Sequence, residues 1–385
     1  DFDGPVATFI KREPGILTAV QFQVNVPSDT VYGEFERGKL LPFVLSDTVA
    51  LQVYNYEGDN TFLYDTIRVY SRHPERITHV VNNGGGFTYA DVSRLENLYY
   101  LDLQHNYLQS LDVTHNENLL FLMLYGTNEI SELDVTQNTK LEHLNVEMLP
   151  LEELDVTHNK NLLHLNIGGT KMKEINLDSN LNLYELLASN CELTELKTDK
   201  FPNLQYLSVS YSPISEIDVT KNPNLYQLYA TGMEGDPVTY IDVTQNPKLQ
   251  IFFAMNNALE RCDFSNNPDL FSVYISQNNL SELDLSNNPA MIELSVWRNN
   301  LRFSTMPPIE LSYYSWNPQN AMPIGEHYEV GEPIDLSSEA VVSDVRTVFE
   351  WKTGDKYPYV TLLEGVDYEI ENGVTTFLRA QPDSV

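Results

Sequence analysis

The stretch Leu270-Phe271-Ser272-Val273-Tyr274-Ile275-Ser276-Gln277-Asn278-Asn279-Leu280-Ser281-Glu282-Leu283-Asp284-Leu285 decides the fold. Its apolar residues stand at positions one, four, six, eleven, fourteen and sixteen. Units in the same phase open at Ile77, Leu98, Leu119, Leu141, Leu162, Leu183, Leu204, Leu225, Leu249, Leu270 and Met291. Each of the first ten contains a version of one phrase, as in Leu111-Asp112-Val113-Thr114 and Leu154-Asp155-Val156-Thr157. The phrase's second residues, Asp91, Asp112, Asp134, Asp155, Asn176, Lys197, Asp218, Asp242, Asp263 and Asp284, are separated by 21, 22, 21, 21, 21, 21, 24, 21 and 21 residues. A fixed period in the twenties specifies a solenoid.

The unit reads LxxLxLxxNxL followed by xxLDL, which resembles the leucine-rich repeat over residues 77–303. No coil of this kind can close its own core, so each buries its apolar face against its neighbours. Asn106, Asn257, Asn278 and Asn299 fill position nine, with Thr170, Cys191 and Ser212 standing in elsewhere. A buried amide there satisfies backbone groups left open where the strand turns. Alternation over positions three to seven predicts one short parallel strand per unit, about 4.8 Å from the next, in a sheet on the order of 50 Å long. The ten or so remaining residues are too few for a helix with its loops, so extended, polyproline-like or 3₁₀ return segments are expected. The second half of each unit, as in Leu108 to Asn116, also fits LxxLxLxxN, so both sides of the coil could be strand-like. The concave side is assigned to the first half.

The expected fold is thus a leucine-rich repeat solenoid of short parallel strands and little helix, with a β-rich N-terminal cap and a partial C-terminal β-sandwich. Residues 1–76 carry two-residue alternation in Val20 to Val26 and Ala50 to Tyr56, the latter leading through Glu57-Gly58-Asp59-Asn60 into Thr66 to Tyr70 as strand, turn and strand. Such a cap covers the open end of the first coil. Residues 304–317, with Met306-Pro307-Pro308 and Trp316-Asn317, read as a linker. Residues 318–385 carry short strand candidates at Ile334 to Leu336, Thr347 to Trp351, Tyr368 to Ile370 and Thr375 to Leu378, spaced by turn signals as in an immunoglobulin-like sandwich. That segment falls short of the roughly 100 residues such a sandwich needs, so the chain is expected to continue past Val385.

With 55 acidic and 23 basic residues the net charge is −32, which argues against nucleic acid and against anionic lipid. The acidity reads as solubility of a large exposed surface or as attraction for a cationic partner. The chain has no apolar run long enough for a transmembrane span. Its two cysteines, Cys191 and Cys262, sit at different inward positions three coils apart, near 14 Å at about 4.8 Å per coil, beyond disulfide reach. The aspartate ladder places like charges on adjacent coils, which backbone turns and the neighbouring threonine hydroxyls, or calcium, would have to satisfy. His143 and His164 stand side by side, but further zinc ligands are not evident. No HExxH, GxSxG or phosphate loop occurs, and neither a metal nor a cofactor is expected.

Cap, array and trailing β-domain together resemble the internalin-type surface proteins and their relatives in Gram-negative gut-type bacteria. The resemblance rests on the 21-residue period and the Leu-Asp-Val-Ser/Thr phrase, and on Gly331 to Leu336 and Glu364 to Tyr368 in the C-terminal flank. It implies an exported, non-enzymatic adhesion protein at the bacterial cell surface or outside the cell, often a lipoprotein anchored in the outer membrane. Some such proteins carry a cysteine at position six of every coil. Here that position holds residues such as Leu103, Leu124, Val146 and Ile167.

Solvent-facing positions of the later coils gather aromatic residues. Tyr229, Phe253 and Tyr274 hold position five, Tyr206 position three, Met255 and Trp297 position seven, and Tyr211 and Arg298 position eight. Such residues carry interface energy, and flat rings also stack on sugars, so the patch is the expected ligand-binding site for a protein or, alternatively, a glycan. Stacked rings on adjacent strands also stabilise one another by about 0.2 to 1 kcal/mol per pair, so an architectural spacer without soluble ligand is a third reading. A smaller cluster of Tyr100, Phe121, Met123 and Tyr125 is expected to pack against a neighbouring loop. The chain is expected to be monomeric.

Overall fold

The computed structural model describes residues 3–11, 19–24, 30–36, 39–44, 51–54, 66–232, 238–307, 311–317, 319–320, 331, 333–342, 345–346, 352–353, 360–372 and 374–378. The inward positions of the repeat form the core: Leu98, Leu101, Leu103, Leu108, Leu111 and Val113 are all buried, and equivalent residues of later coils continue the same cluster. Each coil contributes a three-residue strand from the first half of its repeat, as at Tyr100–Asp102, Phe121–Met123 and Ser272–Tyr274. These strands pair in parallel and in register, Phe121 with His143 and Phe253 with Tyr274, so every repeat position becomes a column along the axis. The result is a leucine-rich repeat solenoid with almost no helix, only three short 3₁₀ turns among the described residues.

The corner after each strand is built the same way whatever residue occupies it. Position eight has positive φ at Gly84, His105, Gly126, Met148, Gly169, Asn190, Tyr211, Gly232, Asn256, Gln277 and Arg298. Four of these are glycine, for which the left-handed region is free; the other seven accept a cost of roughly 1–2 kcal/mol each because closing the coil demands that corner. Just beyond it, the position-nine amide works as expected. Asn106 Oδ1 accepts from Phe87 N at 2.9 Å while its Nδ2 donates to Asn82 O and Leu103 O at 3.0 Å. Thr170, Cys191 and Ser212 replace it with a single donor to the carbonyl of the same or preceding coil.

The return side departs from the sequence reading. Beyond the first coil no strand forms there among the described residues. A second asparagine ladder, at position nineteen, holds the coils together instead. Asn159 Nδ2 donates to Val135 O at 2.9 Å and to Asn138 O at 2.8 Å, and Asn116, Asn138, Asn180, Asn222, Asn246, Asn267 and Asn288 repeat the arrangement. The eight Oδ1 atoms are buried without a protein donor. The side chain that looked like the end of a second strand is thus a cross-coil clamp.

The N-terminal residues seal the first coil on both sides. Ala19–Val24 pairs antiparallel with Ile77–Val81 and, on its other edge, with Leu51–Tyr54, extending the concave sheet to fourteen strands. Ala7–Lys11 pairs with Phe87–Asp91 on the return side and with Thr66–Ser71. Phe9 lies between the two layers, 6.4 Å from Phe22 and 5.2 Å from Phe87. The segments at 51–54 and 66–71 were expected as one hairpin, yet they belong to different sheets; residues 57–60 of that expected turn lie outside the described residues.

At the far end, Tyr313–Ser315 pairs in parallel with Glu293–Ser295, so the segment expected as a linker supplies a twelfth parallel strand. Gln319 there takes the place of the ladder asparagine, accepting from Asn299 N at 3.1 Å and donating to Val296 O at 3.0 Å. The trailing residues form a three-stranded antiparallel sheet of Pro333–Asp335, Tyr368–Glu371 and Val374–Phe377 over Ile334, Leu336, Leu362, Tyr368 and Phe377. The strand expected at 347–351 lies outside the described residues, as do residues 233–237 in the coil where the spacing widens to 24. Buried Glu339 ties this sheet's segment to the solenoid end by accepting from Ser304 N at 2.9 Å.

Candidate recognition face

Because the strands are in register, the concave face is a grid of columns. At positions three, five and seven of the twelve parallel strands there is no lysine or arginine, and the carboxylates are Asp102, Glu147, Glu185 and Glu293. The face therefore carries four carboxylates and no fixed cation. Its carboxylates are engaged locally. Glu147 accepts from Asn166 Nδ2 at 3.0 Å, Glu185 meets His164 Nδ1 at 2.8 Å, and Glu293 accepts from Ser272 Oγ at 2.8 Å. Asp102 is buried and accepts from Gln104 N; burial raises its pKa more than that bond lowers it.

Rings fill the grid in two runs. The first follows position three: His79 to Tyr100 at 5.6 Å, Tyr100 to Phe121 at 5.5 Å, Phe121 to His143 at 4.3 Å and His143 to His164 at 4.2 Å. Tyr100 and Phe121, expected against a neighbouring loop, instead stack along the sheet. The second run changes column. Tyr206 at position three meets Tyr229 at position five at 5.4 Å, followed by Phe253 at 5.1 Å, Tyr274 at 4.4 Å and Tyr313 at 5.9 Å. Such ring pairs contribute about 0.5–1.5 kcal/mol each beyond their burial. Burial is the main cause of the raised pKa values of Tyr206 and Tyr274, so both hydroxyls stay protonated.

Of the eight residues singled out from the sequence, Tyr206, Tyr229, Phe253 and Tyr274 form this chain of contacts. Met255 and Trp297 stand at position seven, with the Arg298 guanidinium 5.1 Å from the Trp297 ring centroid. Tyr211 stands apart at the left-handed corner, 47% exposed, against Gly232 of the next coil. Position two, which the sequence reading passed over, adds Tyr99, Tyr184, Tyr226 and Ile292, all exposed. Aromatic and aliphatic residues recurring one place before the strand were the available signal.

On the opposite side the aspartate ladder is satisfied within each coil. Asp112 Oδ1 accepts from Thr114 N at 2.9 Å and Thr114 Oγ1 at 2.7 Å, and Asp134, Asp155, Asp218 and Asp242 repeat this with their threonines. These bonds hold the carboxyls of Asp112, Asp134, Asp155 and Asp218 below the ordinary aspartate range. Among the described residues no group of three or more histidine, cysteine or acidic side chains is placed to hold a metal ion. The His164–Glu185 pair has the form of a base with its orienting carboxylate, but among the described residues no hydroxyl or thiol is hydrogen-bonded to it. No described helix is long and apolar enough to cross a membrane.

No family model matches the sequence, and no curated protein matches it. Solved structures resemble it in fold. An internalin, InlF, from Listeria monocytogenes is 18% identical, with 62% of this chain and 79% of that chain covered at a TM-score of 0.53. The functional domain of InlJ from the same organism, described as including a cysteine ladder, is 21% identical over 83% of this chain and 88% of that chain, with a TM-score of 0.46. A leucine-rich repeat protein of Leptospira interrogans is 19% identical over 55% of this chain and 69% of that chain, with a TM-score of 0.44. The chain has an internalin-like leucine-rich repeat fold.

Proposed function

We propose that this is a non-enzymatic recognition protein that binds a protein partner on the concave face of its solenoid. The observation that carries the reading is the continuous run of contacting rings along the later strands, from Tyr206 through Tyr229, Phe253 and Tyr274 to Tyr313. The four carboxylates of the face are Asp102, Glu147, Glu185 and Glu293, and only Glu293 lies among the strands that carry this run. Tyr, Trp and Arg are the residues on which binding energy concentrates. The dimensions of the face suit a folded partner. Twelve strands about 4.8 Å apart and roughly 20 Å wide from position two to eight give on the order of 1,000 Å², near the 800 Å² or so that a stable interface needs from each side.

Glycan binding by the same patch is the second reading, since rings that meet at 80° and 51° at Phe253 do not lie face to face. A location outside the cell or on its surface, a lipid anchor, and an immunoglobulin-like character of the trailing sheet belong to this proposal. So do the eight residues from Tyr206 to Arg298 as its contact set. Replacing Tyr229, Phe253 and Tyr274 together with serine tests it against panels of surface proteins and of defined oligosaccharides. Loss of a protein ligand by a variant that keeps its far-UV spectrum and unfolding midpoint is the expected result. A glycan ligand lost in the same way would replace the protein reading, and binding unchanged by the triple substitution would remove the face from consideration.

A further inference from the structure

The middle of the ring ladder contains two titratable rings in direct contact. His143 lies between Phe121, at 4.3 Å and 13°, and His164, at 4.2 Å and 10°. The register carries position three from His143 to His164 to Glu185, and His164 directs Nδ1 to Glu185 Oε2 at 2.8 Å. The two imidazoles are therefore not equivalent. His164 has a carboxylate that suits an imidazolium, whereas no hydrogen bond reaches the His143 ring among the described residues. Both faces of His143 are covered by other rings. The titratable groups around it are Glu142 and Glu147 at the ends of its own strand, Tyr100 beyond Phe121 on the preceding side, and His164, Tyr184 and Glu185 on the following side. Of the carboxylates, Glu185 is the one engaged with the stack, through His164.

We propose that this stack is an acid-sensitive switch in the concave face: it accommodates one imidazolium, at His164 beside Glu185, and a second proton arriving on His143 breaks its stacking on Phe121 and His164 and opens the ladder. Two cations one strand apart repel, and with the single carboxylate on the far side of His164 only one is compensated. Burial first, and the adjacent imidazole second, lower the pKa of His143, while Glu185 partly opposes them. The sign follows from linkage. A histidine whose folded pKa lies below its unfolded value contributes its full stabilisation above the unfolded pKa, and loses it as pH falls toward the folded one. The window therefore opens below about pH 6.5. The switch would alter the very face proposed for recognition, but it stands or falls without reference to a partner.

Imidazole NMR on the full chain with labelled histidine, from pH 8 to 5, is the test. His143 is expected to titrate at higher proton concentration than a free histidine, with the Phe121 ring signals moving in the same interval. His164→Phe keeps a ring in the stack and removes the like charge, so the His143 midpoint moves up. Glu185→Gln removes the compensating carboxylate and moves it down. His143→Phe abolishes the acid response at Phe121. An ordinary single-site titration of His143, Phe121 signals that stay still through it, or a midpoint unmoved by both His164→Phe and Glu185→Gln, would each overturn the proposal.

Discussion

Asn159 is the place where the clamp between coils can be measured against its own chemistry. Its fully buried Nδ2 donates to Val135 O and Asn138 O, and both carbonyls also keep a backbone donor, from Asn138 N and Leu141 N at 3.0 Å. Asn159→Ala therefore removes two hydrogen bonds without orphaning either acceptor. At about 1 kcal/mol each, with a small cavity added, the loss is about 2–3 kcal/mol. Asn159→Asp keeps the shape and reverses the chemistry, aiming a carboxylate oxygen at two carbonyls. An uncompensated buried charge costs about 3–5 kcal/mol in addition to the lost bonds, so the aspartate variant is expected to lose at least about 2 kcal/mol more than the alanine variant, roughly a 30-fold change in the folded ratio. The chain supplies its own control at Phe201, which is buried at the same position one period after Asn180. There Leu177 O and Asn180 O retain their backbone donors, and ring burial replaces the amide, so Asn159→Phe is expected to cost less than Asn159→Asp. Urea unfolding at pH 7, with native-state hydrogen exchange over residues 135–183, reads both the global and the local loss, since solenoid stability is close to a sum of neighbour terms. If Asn159→Asp proved no worse than Asn159→Ala, the amide would not be acting as a double donor and the clamp would have to be reassigned.

The corner and the aspartate ladder give further tests. Gly232 has φ +61°, and a Cβ there would stand 2.7 Å from Tyr211 Cε1, so Gly232→Ala should cost about 1–2 kcal/mol from backbone conformation plus the displacement of Tyr211. Tyr211→Ala should remove only the steric part, and urea midpoints that fall equally in both backgrounds would show that the contact is immaterial. For the ladder, Asp112, Asp134, Asp155 and Asp218 have folded pKa values lowered chiefly by their threonine hydroxyls. That stabilisation is present above the unfolded aspartate pKa of about 3.9 and is lost as pH falls through the folded values. Replacing Thr114, Thr136, Thr157 and Thr220 with valine should thus lower stability at pH 7 and have much less effect at pH 2; an equal loss at both would point to packing instead.

The repeat was legible because its evidence is local. Leu98, Leu101 and Leu103 point inward for the same reason in every coil, so period and phase suffice to place them, and the amide of Asn106 follows from the turn it must satisfy. Asn116 was visible in the same pattern, but its neighbours read equally well as a second strand. Which carbonyls an asparagine reaches depends on the neighbouring coil: Asn116 Nδ2 donates to Val92 O and Leu95 O of the preceding one. The site was legible in part. Tyr229, Phe253 and Tyr274 share one column and were found together, whereas the contact from Tyr206 at position three to Tyr229 at position five is diagonal across two strands. Ring rotamers decide such a contact, and repeat position alone does not encode it.

The sequence by itself determined the solenoid, its inward columns and the aromatic residues gathered on one face of the later coils, because stacking identical units turns a period directly into geometry. The tertiary structure decided the rest. It placed Leu51–Tyr54 and Thr66–Ser71 in different sheets, carried the array on to Tyr313–Ser315, and set seven different non-glycine residues in a left-handed corner. The physical reason is common to all three: closing the coil and covering its ends are demands of the whole assembly, and they override what any one residue prefers on its own.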